Sequence, residues 1–202
     1  MSRKLVHSIA GPGFLAFWPL FGDTFMSQCI ASVTPALNGL SLFLAGTRLV
    51  QDATSVSAIS RSGDPRELLR GPLYYTIVLT LVTLFLWRES LVAVAVVAIM
   101  CGGDGLADLV GRVIGKDAHL PWKPSKSWPG TIAMFVGGFG MAVILTLYFS
   151  YFDFVSYTPM TIQNLAIIAA IASILESLPI HNAIDDNISV PVVVASCGYF
   201  ML

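Results

Sequence analysis

The stretch CGGDGLADLVGRVIGKDAHLPWKPSKSWPGT, residues 101–131, decides the reading of this chain. It holds four of the eleven Lys and Arg, three Asp, six Gly and three Pro. The chain around it is 55% hydrophobic and only 11% charged. A soluble domain carries about 25% charged residues. Burying so many polar groups without partners is costly. The stretch therefore reads as a polar loop between two apolar segments, facing water at one membrane surface. It is also the expected main active-site loop.

Outward from it, apolar segments recur at 5–21, 29–46, 72–87, 90–103, 129–152, 162–178 and 188–202. Gly11, Pro12 and Gly13 interrupt the first and Pro35 the second. Spanning helices tolerate such breaks when neighbours re-satisfy the backbone. The third and fourth fall short of the roughly 20 residues a span needs, so their ends must draw on flanking residues. The expected fold is an all-α, multi-pass membrane protein with about six or seven transmembrane helices, forming one domain over 1–202.

Lys and Arg set the orientation. With the N-terminus inside, ten of the eleven basic residues fall on one side and only Arg88 on the other. The same topology brings the loop ESLPIHNAIDDN at 176–187 to the side of the 101–131 stretch, with His7 and the polar 47–71 loop. Three clusters distant in sequence are thus expected at one membrane face.

Composition narrows the partners. The net charge of −1 is uninformative about partners, but the sequence has no basic patch of nucleic-acid type. Cys29, Cys101 and Cys197 are odd in number and lie in apolar surroundings, as buried small hydrophobes do. No leader of signal-peptide or transit-peptide type precedes Arg3 and Lys4, so the chain reads as a mature or shortened form.

Three groups of residues carry possible chemistry. Asp104 and Asp108, four apart with Arg112 a turn further, would share one helix face. Paired carboxylates suit Mg²⁺, which takes one or two of them plus substrate phosphates; acids at a helix start would also suit its dipole. Lys123, Lys126 and Ser127 stand among Pro121, Pro124 and Pro129, before a helix expected to start near Trp128–Gly130. That arrangement suits phosphate, and it also suits interfacial anchoring. Glu176, Asp185, Asp186 and Asn187 border apolar segments, where acids are costly unless paired or metal-bound. One of the two Asp would serve equally as a helix cap. His7 and His181 sit at the same face, where a lone His is usually structural.

Taken in order, RKLVH at 3–7, GDGLADLVGRVIG at 103–115, KPSKSWPGT at 123–131 and ESLPI…DDNISVP at 176–191 resemble the phytol kinase family, the plastid branch of the CTP-dependent polyprenol kinases. The resemblance implies phosphoryl transfer from CTP, with Mg²⁺, to phytol or a related prenyl alcohol. It implies a multi-pass chloroplast membrane protein that works among membrane lipids and feeds tocopherol biosynthesis. It assigns nucleotide and metal binding to Asp104, Gly105 and Asp108; Arg112, one turn on, would help neutralise the transferring phosphoryl group. It assigns phosphate binding to Lys126, Ser127 and Gly130, and the acidic motif to Glu176, Asp185, Asp186 and Asn187. Lys123, Pro129 and Thr131 depart from the family pattern. Two other readings compete: a membrane cytidylyltransferase moving CMP onto a lipid phosphate, and a non-catalytic membrane protein or transporter.

Overall fold

The computed structural model describes residues 3–60, 62–179 and 185–202, with side chains from Ser8 onward. All seven apolar segments are helical. They are α1 (Arg3–Ala16), α2 (Phe25–Gly46), α4 (Gly71–Phe85), the pair α5 (Leu91–Ala98) and α6 (Asp104–Val113), α7 (Trp128–Tyr151), α8 (Pro159–Ser177) and α9 (Asp186–Met201); α3 (Ala53–Ile59) lies in the polar loop after α2. Among the described residues, five stretches are long and apolar enough to cross a membrane: Phe25–Gly46, Pro65–Phe85, Leu91–Val113, Trp128–Tyr151 and Pro159–Ser177. At 1.5 Å per residue, the 22 residues of α2 span about 33 Å, close to the hydrocarbon thickness of a bilayer. A shorter apolar run, Ser8–Leu20, and the 16-residue α9 complete the set.

The two short segments are lengthened as their sequences required. Pro65–Leu69 adds a 3-10 turn ahead of α4. The central span continues from α5 through a π-helical turn, Ile99–Gly103, straight into α6. This corrects the expectation of a polar loop from residue 101: Cys101, Gly102, Gly103, Gly105 and Ala107 are buried helix. Small residues make that burial possible. A Cβ on Gly137 of α7 would lie 2.5 Å from the Gly102 carbonyl, so the two backbones touch. A second departure is a two-stranded antiparallel hairpin, β1 (His119–Leu120) and β2 (Lys123–Ser127), where only a loop was expected. Trp128 N–H donates to the Ala118 carbonyl at 2.9 Å and closes the hairpin onto the start of α7.

The core surrounds the central span. Val94, Val96 and Ile99 pack with Trp18, Ile168 and Val194, all within 1% of full burial. Lipid-facing positions such as Leu37, Phe85, Ile144 and Ile167 are exposed. The cysteines are free, and Cys101 alone is fully enclosed.

The bundle has two chemically different ends. At one, Arg88 is buried under three loops. It pairs with Asp23 and Glu89, donates to the Phe21 carbonyl, and its guanidinium lies 4.0 Å from the Phe154 ring centre. At the other end, the hairpin residues Trp122, Lys123 and Lys126 meet Glu176, Ser177 and Asp186. This is the division expected from the Lys and Arg count.

Candidate active site

Local chemistry places each group. Ser127 caps α7, accepting from Gly130 N–H at 3.2 Å. That holds the end of β2 against the helix and turns Lys126 toward α8. Asp185 caps α9, accepting from the backbone N–H of Asn187 at 2.9 Å and from its side-chain amide at 2.8 Å. The next residue, Asp186, is left facing Lys126.

Lys126 is the centre of the site. Its Nζ pairs with Glu176 Oε1 and reaches Asp186 Oδ2 at 3.3 Å. Glu176 is 2% exposed, so without that ammonium its charge would be stranded in an apolar helix end. Burial pulls the Lys126 ammonium down. The Glu176 and Asp186 carboxylates outweigh burial and hold it above the ordinary lysine range, with a further contribution from Asp104. Lys123 Nζ donates to the Glu176 carbonyl at 2.7 Å. Burial pulls Lys123 below the ordinary range in spite of Asp186. Trp122 Nε1 donates to the Ser177 carbonyl at 2.9 Å, and the Trp122 ring stands edge-on to Trp128 with centres 5.5 Å apart. The hairpin is thus latched to the end of α8 by three side chains.

Asp104, Glu176, Asp186 and Asn187 line one cavity of about 10 Å³, closed by Met100, Met134 and Val190. That is about the room one water needs. Asp104 sits on the turn after the π-helical segment, a geometry common at functional sites. Carboxylates and an amide are the donor types that Mg²⁺ takes. Among the described residues, no three acidic, His or Cys side chains converge closely enough to hold a metal by themselves. The set therefore fits Mg²⁺ in its usual mode, in which one or two carboxylates act together with substrate phosphates.

Other residues singled out in the sequence lie elsewhere. Asp108 does not line the cavity and binds Arg112, with Nη2 at 2.9 Å from both carboxylate oxygens. Gly105 packs against α1: a Cβ there would fall 1.8 Å from Ser8 Oγ. Gly130 packs α7 on α6, its notional Cβ 3.3 Å from the Ala107 carbonyl. The Ser127 hydroxyl is occupied by its cap. The His7 side chain and His181 lie outside the described residues. The role of Trp122 was not legible in the sequence, although the Pro-Trp-Lys-Pro grammar around it marks a shaped hairpin.

Fold and site together define a multi-pass helical membrane protein with a lysine–carboxylate centre at the basic end of its bundle. Comparison supplies the family. The chain is 40% identical to a probable phytol kinase 1, chloroplastic, of rice over 202 residues, covering 100% of this chain and 64% of that protein. It is 42% identical to a probable phytol kinase, chloroplastic, of maize over 192 residues, 95% of this chain and 63% of that one. It is 37% identical over 199 residues to a farnesol kinase, chloroplastic, of Arabidopsis thaliana, 98% of this chain and 64% of that one. The chain belongs to the phytol kinase family and spans just under two thirds of the length of these curated relatives. No family model matches it. No solved structure matches it.

Proposed function

We propose that this chain is a prenyl alcohol kinase of a chloroplast membrane, transferring the terminal phosphoryl group of CTP to phytol or a similar alcohol for tocopherol biosynthesis. The observation that carries this is Lys126 paired with Glu176 and Asp186, which line one cavity with Asp104 at the basic end of the bundle. Phosphoryl transfer asks mainly for positioning and charge neutralisation. Lys126, kept cationic by its carboxylates, meets the transferring phosphoryl group. Asp186 accepts the proton of the alcohol as the new O–P bond forms and the bond from the γ-phosphorus to its bridging oxygen breaks, with CDP leaving. Glu176 keeps Lys126 oriented. The prenyl tail lies among the apolar helices. Asp104, with Asn187, would hold Mg²⁺, whose charge offsets that of the triphosphate.

Membranes carrying the chain, given Mg²⁺, prenyl alcohols and γ-labelled CTP, test this. Label on the lipid is the expected result. CMP on the lipid would identify a cytidylyltransferase instead, and no nucleotide turnover would leave a non-catalytic protein.

A further inference from the structure

A second polar feature lies at the same end of the bundle, and the chemistry above does not use it. Arg48, Arg66 and Arg70 line an open groove of about 540 Å³ with Thr47, Leu69 and Tyr74. It lies where α2 ends and α4 begins. Among the described residues, the acid in contact with these arginines is Asp64, 3.8 Å from Arg48 Nη2 and already capping the Arg66 N–H at 3.0 Å. Glu67, on the same 3-10 turn, bonds Ser62. Among the described residues, Arg66 and Arg70 have no carboxylate partner. The groove is therefore strongly cationic.

Two of these arginines sit against local preference. Arg48 follows the end of α2 with φ +61°, a left-handed conformation that glycine adopts at no cost and other residues adopt at one. Arg70 is the N-cap residue of α4, where the helix dipole repels a cation and favours an anion. Local rules broken together in one place mark a functional position more often than a packing one. The groove lies at the ends of two stretches long and apolar enough to cross a membrane, Phe25–Gly46 and Pro65–Phe85, which is the level where lipid head groups lie.

We propose that this groove binds the phosphate of an anionic membrane lipid, gripping the head group with Arg48, Arg66 and Arg70 while the acyl chains run down the outside of α2 and α4. Phosphate against an arginine fork is the pairing this geometry offers. The site adjoins the lysine–carboxylate centre: a Cβ on Gly71, next to Arg70, would lie 3.0 Å from Asn187 Nδ2. The inference does not depend on the kinase reading.

The test uses delipidated full chain in detergent, titrated separately with phosphatidylglycerol and phosphatidylcholine, with bound lipid counted by native mass spectrometry. The expected result is preference for phosphatidylglycerol, weakened roughly tenfold or more in Arg66→Gln/Arg70→Gln and unchanged in Lys116→Gln. Arg48→Gly separates binding from folding: it should raise the melting temperature of the lipid-free protein by relieving the left-handed residue, yet weaken phosphatidylglycerol binding. Equal binding of the two lipids, or equal loss in Lys116→Gln, overturns the proposal. Displacement of bound lipid by free pyrophosphate overturns the lipid as the source of the phosphate and gives the groove to a soluble anion.

Discussion

Replacing Lys126 by Met removes the cation that pairs with the carboxylate of the 2%-exposed Glu176. Stripping one partner from a buried ion pair costs about 3–5 kcal/mol, because the remaining charge is left uncompensated. For a chain of this size, that corresponds to a melting temperature lower by roughly 6–20 °C. Lys126→Met/Glu176→Gln leaves no stranded charge and should recover most of the loss, since neutral replacement of a buried pair is often tolerated. Neither variant should transfer phosphate at more than about a hundredth of the native rate, the scale for removing one charge-stabilising donor. Differential scanning fluorimetry in detergent reads stability, and labelled CTP reads turnover. The pH dependence follows from the raised Lys126 value. Stability held by that ammonium is fully present below the ordinary lysine range and is lost only as pH rises through the higher folded value. Native protein should therefore lose none of it between pH 6 and 9. A double variant as unstable as Lys126→Met would refute the reasoning, because the damage would then not come from the stranded carboxylate.

Adjacent aspartates should behave differently. Asp185→Ala, which removes the cap of α9, should cost about 1 kcal/mol and leave the rate within a few-fold, whereas Asp186→Asn should lower kcat on the order of 100-fold or more with little change in melting temperature; matching kinetic losses would dismiss this assignment. Asp104→Asn should abolish the response of turnover to Mg²⁺ concentration while Asp108→Asn keeps it, measured as a Mg²⁺ titration of initial rates. Gly105→Ala should destabilise the bundle by about 1–3 kcal/mol through its clash with Ser8, and Ser8→Gly in the same chain should restore the melting temperature.

Much of this architecture is legible in the residues. Hydropathy marks each long apolar helix, though not α3 or α6, and the placement of Arg88 against the other ten basic residues sorts the loops to two ends. Less visible was where the central span stops. Gly102, Gly103 and Gly105 look like loop residues, but glycine on a helix that meets other helices is a contact surface, and periodicity alone does not separate the two. The same ambiguity hid Gly130. Asp104 and Asp108 share a spacing that suits a metal pair; Arg112, one turn on, takes Asp108, and only the packing of the helix decides which carboxylate lines the cavity. Asp185 and Asp186 are equivalent as letters, and the cap separates them. Lys126 between Glu176 and Asp186 joins residues 50 and 60 positions apart, which no local pattern encodes.

The central claim is that these distant groups share one aqueous end of the bundle. In a chain freed of Cys29, Cys101 and Cys197, single cysteines at Ser125, Pro179, Asp153 and Tyr157 can be probed in sealed vesicles with an impermeant maleimide. Labelling of positions 125 and 179 from one side, and of 153 and 157 from the other, is the expected pattern. Labelling of 125 and 179 from opposite sides would contradict the account.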